Sequence, residues 1–169
     1  MKKMTEENLK NAFAGESQAN VKYLIFANKA EKEGFPNIAK ILRAVAYSEQ
    51  LHATNHYDQL GNIQETSKNL QIAIDGETFE IEEMYPAYKA VAELQLEKGA
   101  QRTLYWAIEA EKIHLGLYRK AKQAVDSGKD VEIGDIFVCG LCGFTMEAPV
   151  PDKCPICGWS KEKFKKFTL

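Results

Sequence analysis

The chain has 169 residues, of which 45% are hydrophobic and 27% charged, enough for one sizeable core and a small second domain. Its 22 basic and 24 acidic residues leave a net charge of −2, which offers no basic surface for nucleic acid. No run of 18 apolar residues occurs, and the N-terminus lacks a secretory signal's apolar stretch, so we expect neither a membrane span nor export. All four cysteines lie near the C-terminus, and their grouping indicates a metal site instead of a disulfide framework. Free thiols in turn indicate a reducing compartment, so we expect the protein in the cytoplasm.

The first part of the chain alternates apolar and polar residues with a helical period, which predicts four helices. Their approximate bounds are 5–33, 38–60, 75–98 and 100–127. Thr5 is the expected N-cap of the first helix and Gly128 the C-cap of the fourth, while Pro86 should kink the third. Residues 61–75 form a longer connection between two hairpins, as in a ferritin-like four-helix bundle.

Two related motifs lie on the second and fourth predicted helices, Glu49-Gln50-Leu51-His52 and Glu111-Lys112-Ile113-His114. Residues three apart project from the same face of a helix, so each carboxylate and imidazole can reach one metal ion. The preceding helix of each pair adds further carboxylates, namely Glu16 on the first helix and Glu80 and Glu83 on the third. The repeated arrangement predicts two metal ions held between two helical hairpins.

Each motif glutamate interrupts an apolar helix face, as Glu49 does after Ile38, Leu42 and Val45. Converging buried carboxylates without cationic partners would repel one another strongly unless metal ions neutralised them. Carboxylates with one imidazole per ion favour iron or manganese. We interpret His56 as a non-ligand because no matching residue follows His114.

The C-terminal segment carries a second metal signature in two Cys-x-x-Cys pairs. The four cysteines are Cys139, Cys142, Cys154 and Cys157, and a glycine follows each pair. Four thiolates form a tetrahedral site for iron or for zinc, and the spacing alone does not distinguish the two metals. We place the domain boundary after residue 134, with a helical domain over 1–134 and a metal-dependent β/loop domain over 135–169.

The whole chain, from about residue 5 to 167, resembles the rubrerythrins, in which a ferritin-like di-iron domain precedes a rubredoxin-like domain. The resemblance rests on Phe13-Ala14-Gly15-Glu16-Ser17-Gln18-Ala19, both Glu-x-x-His motifs, Glu80-Ile81-Glu82-Glu83-Met84-Tyr85-Pro86 and the four cysteines. It implies a mainly α fold, a ferritin-like four-helix bundle followed by a small rubredoxin-like domain.

The resemblance also implies roles for individual residues. Glu49 and Glu111 would bridge two irons, with Glu16 and Glu80 as terminal ligands. His114 would bind one iron, while His52 and Glu83 would alternate on the other with redox state. Tyr23 matches a tyrosine that hydrogen-bonds near such a site. The four cysteines would hold a third iron, which zinc can replace in recombinant material.

The implied activity is that of a peroxidase that reduces hydrogen peroxide to water in oxidative-stress defence. Electrons would come from an external rubredoxin or NAD(P)H-dependent reductase, because the chain has no Gly-x-Gly-x-x-Gly fingerprint of its own. The cysteine iron would pass them to the di-iron site, across a subunit interface. A homodimer is expected, and the short connection at 61–75 is compatible with exchange of helical hairpins between its subunits.

Two other functions stay open at this point. The first is a ferroxidase or other iron-handling protein built on the same bundle, although storage does not need the electron input of an attached cysteine domain. The second is a binding module in which the cysteine domain is a structural zinc ribbon and the helices are scaffold. The interrupted apolar faces argue against this second function.

Overall fold

The computed structural model describes residues 1–168, which form two compact units. The first unit, residues 1–64, is a hairpin of helices α1 (Lys3–Lys32) and α2 (Pro36–Gln59). The predicted turn at 34–37 is confirmed, with Gly34 at φ 83° and Pro36 in the first turn of α2. The predicted N-cap at Thr5 is wrong, because α1 already begins at Lys3 and has no side-chain cap.

Small residues form the seam between α1 and α2. Ala27 and Ala39 are fully buried, and Leu42 packs against them. Asn20 donates a hydrogen bond of 2.7 Å to the Ala46 backbone oxygen, which joins the two helices. Several large apolar side chains of this unit remain exposed instead of entering the seam: Val21, Leu24, Ile25, Phe26, Ile38 and Ile41.

The second unit, from Glu65 onward, begins with a helix that starts nine residues earlier than predicted. Helix α3 spans Thr66–Phe79, so the connection between the hairpins is much shorter than the expected 61–75. The polar run at 64–69 and the glycine after Asp75 are typical of a loop. Packing against helix α5 (Lys98–Asp126) overrides that local preference, because Ile74 is buried and Ser67 hydrogen-bonds Asp126.

A single turn of π-helix, Glu80–Met84, continues α3 into helix α4 (Tyr85–Leu94). The Tyr85 N–H bonds to the Glu80 carbonyl, five residues back instead of four. Pro86 follows at once, in the first turn of α4, where its missing N–H costs little. The predicted disturbance at Pro86 therefore takes the form of a π turn that spans the residues just before it.

A three-stranded antiparallel sheet closes the second unit, in the order β2-β1-β3. Its strands are β1 (Ile136–Cys139), β2 (Thr145–Glu147) and β3 (Phe164–Phe167). Strand β2 contacts α5, where Lys120 pairs with Glu147 at 3.1 Å. The second hairpin and the sheet thus share one unit, and the boundary at residue 134 stays a prediction. Among residues 1–168, no helix is long and apolar enough to cross a membrane.

Candidate metal centres

In the first unit, Glu16 of α1 meets Glu49 and His52 of α2. Ligand atoms of the three residues all lie within 4.8 Å of one another, with His52 Nδ1 3.3 Å from Glu49 Oε2 and 3.9 Å from Glu16 Oε1. A hydrogen bond between the two carboxyls raises the pKa of Glu16 and lowers that of Glu49, so they are suited to share one proton. The structure thus brings together three of the residues that the sequence favoured, and their role as metal ligands stays a prediction.

Their burial is less complete than the interrupted apolar faces suggested. The Glu49 side chain is 17% exposed, Glu16 31% and His52 51%. Water therefore reaches the His52 side chain. Large apolar side chains of the same hairpin are also exposed to solvent.

The second unit holds a matching group made by Glu77 of α3 with Glu111 and His114 of α5. Ligand atoms of these three also lie within 4.8 Å of one another, and His114 Nδ1 is 2.5 Å from Glu111 Oε2. Burial, followed by the hydrogen bond and charge of Glu111, raises the pKa of Glu77 to about 7. The sequence interpretation missed Glu77 altogether.

Of the two carboxylates that the sequence did favour on this helix, neither belongs to that ligand group. Glu80 is half-buried, and its burial, followed by the charge of Glu111, raises its pKa. Glu83 is exposed. Spacing in the sequence contained a signal for Glu77: it precedes Glu111 by 34 residues, close to the 33 that separate Glu16 from Glu49, whereas Glu80 precedes Glu111 by only 31.

Two tyrosines border the second group and were also missed. Burial, and then the charge of Glu80, raises the pKa of Tyr85, while burial and the charge of Glu77 raise that of Tyr118. Tyr23, the predicted hydrogen-bonding tyrosine, is half-buried on α1 with its ring 6.4 Å from that of Phe26. Its predicted role at the metals stays a prediction.

The four cysteines converge as the Cys-x-x-Cys spacing predicted. Sγ atoms of Cys139 and Cys157 are 3.6 Å apart, and those of Cys142 and Cys154 are 3.5 Å apart. Four sulfurs about 2.3 Å from one metal ion would lie about 3.8 Å from each other, so the spacing fits a tetrahedral ion and is far too long for disulfides.

Backbone N–H groups surround these sulfurs. Gly143 and Gly158 adopt positive φ angles of 80° and 77°, which turns the chain after each cysteine pair. Burial opposes ionisation of Cys139, but N–H donors of Cys142 and Leu141, together with the thiols of Cys157 and Cys142, lower its pKa; burial raises the pKa of Cys142. Such donors stabilise thiolates, as a bound metal requires.

The donor chemistry fits metal ions at all three places. Two carboxylates and an imidazole in each helical group suit iron or manganese, and four thiols suit iron or zinc. Lys and Arg side chains make no described ion pair with Glu16, Glu49, Glu77 or Glu111 within residues 1–168, so acidic repulsion in the groups is left for a metal to relieve.

Comparison with known proteins agrees with this chemistry. Residues 7–122 match the family model for rubrerythrin, and residues 137–165 match that for the rubredoxin-like domain of rubrerythrin. Rubrerythrin-2 of Clostridium acetobutylicum is 42% identical over 97% of both chains. Rubrerythrin of Clostridium perfringens is 31% identical over 96% of this chain and 94% of its own.

A solved structure supports the same relationship. Fully reduced nigerythrin aligns with a TM-score of 0.57 and 29% identity, over 96% of this chain and 86% of its own. The predicted fold class, a ferritin-like helical part followed by a rubredoxin-like domain, is confirmed. With both of its parts matched by family models and its length covered by curated relatives, the chain belongs to the rubrerythrin family.

Proposed function

We propose that the protein is a non-haem di-iron peroxidase that reduces hydrogen peroxide to water. The reaction takes up two electrons and two protons, forming two water molecules from each peroxide. When bound, a pair of ferrous ions would supply the two electrons and polarise the O–O bond. The observation that carries the proposal is the presence of two matching Glu–Glu–His groups together with a tetrathiolate site whose sheet contacts one of them.

We assign the ligands by their placement. Glu16, Glu49 and His52 would hold metal at the first group, and Glu77, Glu111 and His114 would hold it at the second. Glu77 replaces Glu83 in this assignment because Glu77 lies with Glu111 and His114 while Glu83 is exposed. Glu80 takes the place of the further carboxylate, since it is half-buried and the charges of Glu111 and His114 act on it.

The tetrathiolate site is the proposed entry for electrons. Four protein ligands leave a metal no open position for substrate, so its role is transfer of one electron at a time. An external donor, a rubredoxin or an NAD(P)H-dependent reductase, would reduce it. We expected transfer across a subunit interface, but the contact between β2 and α5 offers a path within one chain, from the cysteine site to His114.

We also propose a homodimer in which helical hairpins are exchanged. Exposed apolar side chains on the first hairpin, such as Ile25 and Ile41, and on the second, such as Phe79 and Val91, argue for it. Monomeric proteins rarely leave large apolar surfaces open to water. A partner chain would cover these faces and exclude water from half-exposed ligands such as His52.

Iron analysis with rapid kinetics tests the activity. We expect three irons per chain, a ferric tetrathiolate absorption that reductant bleaches, and faster reoxidation of the reduced protein by peroxide than by oxygen. The prepared protein should turn over peroxide catalytically with a reductase and NAD(P)H. Retention of ferric product without peroxide turnover would favour the ferroxidase function instead, and a protein that binds only zinc at the cysteines after anaerobic iron loading would refute both.

A further inference from the structure

Thr145, the first residue of β2, is the only buried polar side chain among the described residues, with 7% of its surface exposed. Its hydroxyl has two partners. The hydroxyl donates a hydrogen bond of 2.9 Å to the Gly143 carbonyl, and it lies 3.0 Å from His114 Nε2. This buried hydroxyl thus contacts both a histidine of the second helical group and the loop that carries Cys142. That contact calls for a functional explanation.

The hydrogen-bond direction follows from proton counting. A threonine hydroxyl has one hydrogen, and Thr145 gives it to the Gly143 carbonyl. Thr145 Oγ1 can therefore only accept from His114, which requires His114 Nε2 to carry a proton. That arrangement leaves Nδ1, which faces the Glu111 carboxylate, as the nitrogen available to a metal.

Gly143 connects this hydroxyl directly to the cysteine site. It follows the ligand Cys142 in sequence, and its N–H donates to the Cys139 carbonyl at 3.0 Å. A continuous path thus runs from Cys142 through the Gly143 backbone and the Thr145 hydroxyl to the His114 ring. The two segments lie side by side, because a Cβ added at Gly143 would be 3.9 Å from Ala110 Cβ, one turn before His114.

We propose that Thr145 is a positioning residue that holds the His114 ring with Nδ1 toward the metal and joins the two metal centres through one hydroxyl. The positioning role needs only metal binding by His114. The electron-transfer role rests on the proposed function. Partners of the non-coordinating nitrogen fix the orientation of a ligand histidine and raise its basicity, and their loss typically weakens metal binding about 10–100-fold.

Three variants of the full-length protein separate the hydroxyl from packing. Thr145→Val keeps the shape and removes the hydroxyl, while Thr145→Ser keeps the hydroxyl and removes a methyl group. Thr103→Val, whose hydroxyl bonds only to carbonyls of its own helix α5, is the matched control. The ferric tetrathiolate spectrum verifies that the cysteine domain is folded in each.

The first measurement is anaerobic ferrous-ion titration of protein whose helical sites have been emptied and whose cysteine site remains loaded. We expect Thr145→Val to weaken ferrous binding by about 10-fold or more, with Thr145→Ser and Thr103→Val within about 3-fold of wild type. Wild-type affinity in Thr145→Val would overturn the positioning role, and so would an equal loss in Thr145→Ser.

The second measurement mixes fully reduced protein, at saturating ferrous ion, with one equivalent of peroxide. Return of the ferric tetrathiolate absorption reports electron departure from the cysteine iron, and we expect it to be at least about 10-fold slower in Thr145→Val than in Thr145→Ser. Equal rates would overturn the linking role. If the wild type does not react with peroxide while Thr145→Val still weakens iron binding, the proposed function fails and the positioning role stands.

Discussion

The Glu77 carboxyl shares a hydrogen bond with the Glu111 carboxyl in one ligand group, and within residues 1–168 neither forms an ion pair with a lysine or arginine. On that relationship we propose Glu77 as a metal ligand in place of Glu83. The relationship also makes Glu77 the residue whose removal should most clearly separate the two assignments.

Glu77→Ala should lose iron from the helical site, while Glu83→Ala should retain it, because Glu77 contributes a ligand atom and Glu83 is exposed. Iron per chain, measured after anaerobic loading and desalting, tests the difference. We expect about a 10-fold or greater loss of affinity for Glu77→Ala, by analogy with the cost of disturbing a metal's surroundings. The tetrathiolate spectrum serves as an internal control, and the reverse ranking of the variants would restore Glu83 as the ligand.

Protein without metal should become less stable as the pH rises from about 4.5 to about 7. The folded state raises the pKa of Glu77 above its value in the unfolded chain, so the unfolded state releases its proton first and is favoured with increasing pH. Urea unfolding at pH 5 and pH 8 in the presence of a chelator measures this. Glu77→Gln should flatten the dependence, whereas Glu83→Gln should leave it unchanged.

Hairpin exchange predicts complementation between two inactive variants. Glu49→Ala destroys the ligand group of the first hairpin and Glu111→Ala that of the second. In a mixed dimer with exchanged hairpins, one site receives both altered halves and the other receives both intact halves. Co-expression should therefore restore up to half of the wild-type iron and activity per mixed dimer. Without exchange each site keeps one altered half, so an inactive, purified mixed dimer would rule the exchange out.

Cys142→Ser should uncouple reductase-driven turnover while leaving the helical metal site able to react. A serine oxygen is a poor substitute for one of four thiolates, so the electron carrier is lost or altered. Chemically reduced variant should still consume one equivalent of peroxide in a single turnover, and steady-state turnover should fall by at least about 10-fold. Failure of the single turnover would mean that the cysteine domain supports the helical site in a further way, for instance through Thr145.

Helix periodicity and cysteine spacing predicted much of this protein from local information. The two residues of each Glu-x-x-His or Cys-x-x-Cys motif are only three positions apart, so local geometry brings them together. The structure places both kinds of motif in groups of neighbouring ligand atoms. The start of α3 was wrong by nine residues because burial of Ile74 against α5 is a tertiary effect that polar neighbours conceal. The contact between His114 and Thr145 could not be predicted from local sequence either, because it joins residues 31 positions apart in different elements.

Glu77 was missed for a different reason. The sequence repeat was aligned from Glu80, 31 residues before Glu111, whereas Glu77 lies 34 residues before Glu111, closer to the 33 that separate Glu16 from Glu49. The partial exposure of Glu16 and His52 was also unexpected. Apolar faces predict burial, but they do not say whether one chain or two supply the cover.

The π turn changes the angular alignment between the two halves of one continuous helix. One extra residue within a turn rotates everything beyond it by about 100° relative to everything before it. Before the turn, Glu77 is directed to Glu111 and His114; beyond it, Ala92 is buried and its carbonyl accepts a hydrogen bond from Gln101 of α5. The helix therefore meets α5 on both sides of the turn, with Ile74 and Glu77 before it and Ala92 beyond it.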